Sequence, residues 1–315
     1  MTDELQERFE LEEAASVIEA IRACAGALDS AGVFCGHGTD NTWDESVQLV
    51  LYTLGLPPDS PASVGEQTIA PDARVRIGRL LQRRIDERVP LPYLTGEAWF
   101  AGLRFQCDQR ALVPRSPIAE LIIGGFQPWY ADGEPTSILD LCCGGGAIGI
   151  ASAVCFPQAR VVLSDIDAQA LTLAAENVCE HGVSGRVECV RGNLFAGLLR
   201  ERFDIILCNP PYVDDDDLAA MPPEYYREPP IGLGAGNDGL DLARQILANA
   251  AAHLNPDGLL LLEVGNSWVA LEAEFPQVAF TWVELESGGH GVLAMQAREL
   301  RESASLLAYT GTRII

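Results

Sequence analysis

Four consecutive residues, Asn209, Pro210, Pro211 and Tyr212, carry groups suited to one kind of chemistry. The nitrogen of a planar NH2 group is a poor nucleophile because its lone pair is delocalised. Two acceptors aimed at its two hydrogens raise the electron density on nitrogen and fix its direction. The Asn209 side-chain oxygen and the Pro210 backbone carbonyl can act as those acceptors, and Tyr212 can stack on the flat group. The prolines stiffen the segment, which suits a group that must be held in one pose. In-line transfer of a methyl from positively charged sulfur then needs orientation and electrostatics but no strong base, since the proton can leave after the methyl arrives. As a plain turn, the same residues would only stop a strand and start a bend. Their position argues for more. They follow the apolar run 203–208, at the carboxyl end of an expected parallel strand, where open sheets bind ligands.

A second cluster is glycine-rich: Asp140, Leu141, Cys142, Cys143, Gly144, Gly145, Gly146, Ala147, Ile148, Gly149. Gly144, Gly146 and Gly149 satisfy G-x-G-x-x-G, whose glycines let backbone approach a ligand at a strand-to-helix turn. Asp165 lies nineteen residues beyond Gly146, at the end of the next expected strand. A carboxylate there can accept hydrogen bonds from ribose hydroxyls. The pair points to an adenosine-containing ligand and leaves open a nicotinamide cofactor or S-adenosylmethionine. Asp140 tilts the choice toward the second, because a carboxylate can face its cationic amino-acid part and would repel a pyrophosphate.

The elements that must position these residues follow from periodicity. Strands are expected at 137–142, 160–165, 186–191, 203–208, 258–264, 278–286 and 291–297, with helices near 147–156, 168–181, 239–254 and 267–274. Such alternation implies an α/β fold, a mostly parallel seven-stranded sheet covered on both faces. The last two strands, joined through Ser-Gly-Gly-His, must form an antiparallel hairpin at one edge. Upstream, helical patterns at 11–29, 43–55 and 73–88 suggest a small helical domain over 1–92. The expected hairpin 93–113, turning at Ala101-Gly102, would link it to a catalytic domain over 114–300, with a tail at 301–315. The arginines 74, 76, 79, 83, 84 and 88 read as a solvated helix face.

Composition narrows the function. The chain has 315 residues and a net charge of −24, and all 21 of its basic residues are arginine. Without lysine, a pyridoxal-phosphate Schiff base and a Walker-loop lysine are excluded. So acidic a protein is unsuited to gripping phosphate backbones and favours a basic partner or a small ligand. Nine cysteines without C-x-x-C spacing, and four scattered histidines, indicate buried reduced thiols rather than disulfides or a metal site. No signal peptide and no membrane span are expected, which suggests a cytoplasmic protein.

With these motifs on the page, the chain resembles class I, Rossmann-like methyltransferases that use S-adenosylmethionine on planar amino or amide nitrogens. The runs Leu112-Val113-Pro114-Arg115-Ser116-Pro117-Ile118, 227–241 and Glu263-Val264-Gly265-Asn266-Ser267 narrow this to the HemK-type protein-glutamine methyltransferases. Pro-Arg-Ser-Pro and Glu-Val-Gly-Asn-Ser resemble the branch acting on large-subunit ribosomal protein L-three, with the release-factor branch next. The resemblance covers roughly 70–297. It implies that Cys142 to Gly146 wrap the methionine part, Asp165 holds the ribose, Asn193 and Leu194 flank the adenine, and Asn209 to Tyr212 bind the glutamine amide. It also implies that the helical domain contacts a basic protein substrate. Two positions depart from the family, which usually has Asp at 193 and often Gly at 142. A nucleic-acid amino-methyltransferase, a non-catalytic nucleoside-binding module and a nicotinamide oxidoreductase are the competing readings.

Overall fold

A computed structural model describes residues 9, 11, 14–131, 133–286 and 288–309, and the chain divides into two compact units. One comprises 1–98 with 222–228; the other comprises 99–221 with 229–315. The helical unit is thus discontinuous in sequence.

The helical unit is built on α1 (Val17–Ser30), α2 (Thr42–Leu54), α3 (Pro71–Asp86) and the short α4 (Leu91–Thr95). Their ends carry local signals. The Ser16 amide donates to Glu19 Oε2 (3.0 Å) at the start of α1, and Asn41 Oδ1 accepts from the Asp44 amide (2.8 Å) at the start of α2. Pro71 opens α3, and Gly55 closes α2 at φ 68°. Cys24, Leu28, Leu49, Ile77 and Leu81 fill its core.

The arginine series is not uniformly a solvated face. Arg84 is wholly buried; its Nε donates to Glu45 Oε1 (2.5 Å) and its Nη1 to Glu224 Oε1 (3.3 Å). Arg88 also donates to Glu224 and to the carbonyls of Ala31 and Gly32. The reason is two distant carboxylates: Glu45 from α2, and Glu224, which the segment 222–228 brings into this unit from far along the chain.

The second unit holds the sheet. Its strands are β3 (Ser137–Leu141), β4 (Arg160–Asp165), β5 (Val187–Arg191), β6 (Phe203–Cys208), β7 (Leu254–Glu263), β8 (Thr281–Trp282) and β9 (Val292–Gln296). They lie in the order β5-β4-β3-β6-β7-β9-β8. The pairs from β5 to β7 are parallel, and β9 runs antiparallel to both its neighbours. A separate two-stranded hairpin, β1 (Glu97–Phe100) and β2 (Leu103–Gln106), turns at Ala101-Gly102.

Side chains alternate across the sheet. Ile138, Val161, Ile205 and Leu259 face the core under α5 (Ile118–Ile123), α6 (Ala147–Cys155) and α7 (Ala168–Glu180). Leu139, Val162, Ile206 and Leu260 face the other, under α9 (Asp241–His253), α10 (Trp268–Glu274) and α11 (Ala297–Glu302). The short α8 (Asp215–Ala220) follows the end of β6.

Two expectations change. The strand at 278–286 shrinks to Thr281–Trp282: before it the Phe280 amide turns back onto the Val278 carbonyl (3.1 Å), and beyond it the Val283 amide donates to the Val292 carbonyl (2.9 Å) before the chain enters a turn through Gly288, Gly289 and Gly291, at φ of 86°, 94° and 74°. The nine cysteines are free, but only Cys24, Cys107, Cys143 and Cys208 are buried, whereas Cys155 and Cys179 on helix surfaces are exposed. Burial pushes the Cys24 thiol up to about 12.

Candidate active site at the strand ends

Register brings the two motifs to one edge. Leu141 pairs with Ser164 of β4 and with Cys208 of β6, and Asp165 pairs with Arg191 of β5. The loops after β3, β4, β5 and β6 therefore leave the sheet side by side, four neighbouring strands spanning about 14 Å at the usual spacing.

The β3 loop is shaped by backbone. Cys142, Gly144 and Gly146 have φ of 61°, 53° and 81°. At Gly146 a Cβ would also stand 2.9 Å from Leu163 Cδ1, so a side chain is excluded by both conformation and space. The Cys143 amide donates to the Ser164 carbonyl (3.1 Å), and the Gly144 amide to Asp165 Oδ2 (2.9 Å). Asp165 Oδ1 accepts from the Asp167 amide (2.9 Å). Burial raises the Asp165 carboxyl despite these two amides.

Asp140 is fully buried one residue before the end of β3. Its Oδ2 accepts from the Gly149 amide (2.7 Å), and a Cβ at position 149 would lie 2.9 Å from its own Cβ. Its Oδ1 is buried without a hydrogen-bond partner among the described residues. Burial, with the nearby charge of Asp165, pushes the carboxyl up to about 8. A buried oxygen left open in this way fits a cationic ligand group.

Asn193 and Leu194, the residues expected beside an adenine, follow β5. The Gly192 amide donates to the Asp165 carbonyl (3.0 Å), Asn193 opens a single 3-10 turn, and Leu194 adopts φ 49°. Both Asn193 and Leu194 are half-buried beside the β4 end.

The clamp follows β6. Asn209 Nδ2 donates to the Arg115 carbonyl (3.4 Å), which leaves Oδ1 as the acceptor end of the amide. Pro210 is buried; Asn209, Pro211 and Tyr212 are half-buried. Tyr212 is held from every side. Its phenol donates to Glu263 Oε1 (2.9 Å), and its carbonyl accepts from Ser267 Oγ (3.1 Å). Gly265 lies so close that a Cβ there would stand 2.5 Å from the ring, and one at Gly239 would stand 2.1 Å from the Tyr212 carbonyl oxygen. Just beyond, the Val213 amide donates to the Leu233 carbonyl (3.0 Å) and the Ala235 amide to the Val213 carbonyl (2.9 Å).

Three sequence runs with no role beyond resemblance therefore gather around the segment Asn209 to Val213. Pro114 to Pro117 supplies the Arg115 carbonyl and Ser116, the run 227–241 supplies Leu233, Ala235 and Gly239, and Glu263 to Ser267 supplies the acceptor, the gap and the hydroxyl. Glu263 is the residue that motif reasoning left without a part. A carboxylate ending an otherwise apolar strand was its only signal.

Strand order, helices on both faces and ligand-binding loops at the carboxyl ends define a class I methyltransferase. The catalytic domain of hMettl16 shares this fold at TM-score 0.51 and 16% identity, over 78% of this chain and 91% of that one. The family model "Methyltransferase small domain" matches residues 130–221. The ribosomal protein uL3 glutamine methyltransferase of Xylella fastidiosa (strain Temecula1) is 47% identical over 90% of this chain and 91% of its own. That of Xanthomonas campestris pv. campestris is 48% identical over 90% and 92%. The chain belongs to the family of ribosomal protein uL3 glutamine methyltransferases. Among the described residues no helix is long and apolar enough to cross a membrane.

Proposed function

We propose that this chain transfers a methyl group from S-adenosylmethionine to the side-chain amide nitrogen, N5, of a glutamine in ribosomal protein uL3. The observation that carries the reading is the Asn209–Tyr212 loop, tied to the Arg115 carbonyl through Asn209 Nδ2, on the strand next to a glycine loop whose buried Asp140 Oδ1 has no hydrogen-bond partner among the described residues. The relatives named above act on the same protein.

The residue roles follow from chemistry. Bound S-adenosylmethionine supplies a methyl on a cationic sulfur. Asp140 Oδ1 accepts from its ammonium, Cys142 to Gly146 wrap its methionine part, Asp165 accepts from its ribose, and Asn193 and Leu194 flank its adenine. Asn193 retains an acceptor for the adenine amino group without a charge. Asn209 Oδ1 and the Pro210 carbonyl accept the two amide hydrogens of the glutamine, and Tyr212 covers its plane. Both acceptors favour the amide form with electron density on nitrogen, and the clamp aligns that nitrogen with the methyl.

A net charge of −24 suits a basic ribosomal protein made in the cytoplasm, and the encounter slows as salt rises. The helical unit reads the protein around the target glutamine. The decisive experiment incubates the enzyme with tritiated S-adenosylmethionine and, separately, uL3, release factors or ribosomal RNA, and maps the label by mass. Label on a single uL3 glutamine is expected. Label on a release factor or on a nucleobase alone overturns the substrate assignment.

A further inference from the structure

Glu263 is buried at the end of β7, opposite Val292 of β9. Each of its oxygens has a hydroxyl partner: Oε1 accepts from Tyr212 (2.9 Å), and Oε2 from Ser116 Oγ (2.6 Å). Ser116 in turn accepts from the Ile118 amide (3.2 Å), which ties the carboxylate to the start of α5. Its neighbour Arg115 presents the carbonyl that holds Asn209. A single side chain thus joins the loop that orients Asn209 to the ring of Tyr212.

We propose that Glu263 is a positioning residue for the transfer: it fixes the Tyr212 ring and the 115–116 loop together, so that both halves of the amide clamp keep one geometry. The inference rests on the reading of Asn209 to Tyr212 given above. Glu263 does not touch the reacting atoms; it acts through Tyr212 and Ser116. The space left by Gly265 explains why the phenol needs an anchor. The ring closes against bare backbone there, and the hydrogen bond at its far end sets how it tilts.

The arrangement also has a pH consequence. Ionised, Glu263 accepts from both hydroxyls at once. Protonated, it donates from one oxygen, so one of the two hydroxyls must change from donor to acceptor, and two charge-assisted hydrogen bonds become neutral ones. Burial pushes the Glu263 carboxyl up to about 7, opposed by hydrogen bonds from Ser116 and Tyr212 and by the charge of Arg115. The groups facing it are Ser116 and Arg115 from the loop before α5 and Tyr212 from the loop after β6; β9 meets it through the backbone of Val292. The hold on the ring and on the 115–116 loop is therefore stronger above neutral pH than below it.

The test uses the full-length enzyme with uL3 and compares wild type, Glu263→Gln, Glu263→Ala and Asn209→Ala from pH 6 to 8.5. Glu263→Ala should lower kcat about 10- to 100-fold, the scale of a small misplacement of reacting groups, with cofactor affinity within about twofold of wild type. Glu263→Gln keeps an acceptor for the phenol and cannot ionise. As the isostere of the protonated acid, it should show at every pH the kcat that wild type reaches below pH 7, within about fivefold of wild type at pH 8, with no further decline as pH falls. Wild-type kcat in Glu263→Ala, or a Glu263→Gln profile that still falls below pH 7, overturns the inference. Survival of transfer in Asn209→Ala would instead overturn the clamp itself. Should Glu263→Ala not fold, the Glu263→Gln profile decides alone.

Discussion

Two buried carboxylates stand at the same edge of the sheet, and their surroundings differ. Glu263, at the end of β7, has a protein hydroxyl on each oxygen. Asp140, near the end of β3, has one backbone amide on Oδ2 and, among the described residues, no partner on Oδ1. Desolvation raises both, to about 7 and about 8. A carboxylate whose valences are filled from within the fold holds the fold's own groups in place. A carboxylate left half satisfied is complete only when a ligand arrives. The β7 side is therefore satisfied from within the fold, whereas the β3 side keeps an acceptor that the proposed cofactor ammonium would fill.

The largest effect that separates the two sides comes from a pair of substitutions. Asn209→Ala should lower the rate of transfer about 10²- to 10³-fold, as loss of one oriented hydrogen-bond group in a reactive site does, and should leave cofactor affinity within a few-fold. Asp140→Ala should do the reverse, weakening cofactor binding about 10- to 100-fold through loss of a charge-assisted hydrogen bond. Equilibrium binding and single-turnover rates measured on both variants check this. If each variant lost both properties equally, the division into a clamp side and a cofactor side would fail.

A smaller effect sharpens the contrast through pH. The ammonium of the methyl donor is cationic at and below neutral pH, with an ordinary α-amino value of about 8. Asp140 in the free protein must give up its proton to receive it, and its carboxyl sits at about 8. Cofactor affinity should therefore strengthen by close to tenfold per pH unit between pH 5.5 and 7, and that slope should vanish in Asp140→Asn. Titration calorimetry at several pH values measures it. Glu263→Gln should leave the slope of cofactor binding unchanged, since its carboxylate belongs to the other side. A flat wild-type profile would mean that Asp140 does not meet the cation.

How much of this was legible beforehand depends on whether the signal was local. The glycine loop, Asp165 and Asn209 to Tyr212 each declare themselves in a few residues, because a turn, a close approach and a stiff loop have fixed residue requirements. The parallel sheet followed from alternation, and the antiparallel strand β9 from the shortness of its connection. What was hidden was set by distant partners. Arg84 has the same local setting as its exposed neighbours, and only Glu45 from α2 and Glu224 from 222–228 make it a buried ion pair. Glu263 reads as the polar end of a strand until Ser116 and Tyr212 are brought to it from far along the chain. Pairings of that kind have no sequence period, so periodicity cannot report them.

The smallest effect concerns the stability of the ligand-free protein, where Asp140 should act against the fold. Its carboxyl has an ordinary value of 3.8 and stands at about 8 when folded, so the folded state holds a proton that the unfolded state has released across that window. Stability then falls as pH rises between the two values, and above about 8 the penalty is constant. Asparagine at this position keeps an acceptor for the Gly149 amide and has no proton to retain. Asp140→Asn should therefore be more stable than wild type in the absence of ligand, by a margin that widens with pH from 4 toward 8 by at most about 1.4 kcal/mol per unit. Denaturant melts of both proteins at pH 5 and pH 7.5 measure the margin, and adding S-adenosylmethionine should shrink or reverse it, since only wild type gains the ammonium contact. A margin independent of pH would mean that the Asp140 carboxylate is already satisfied in the free protein, and the contrast with Glu263 would disappear.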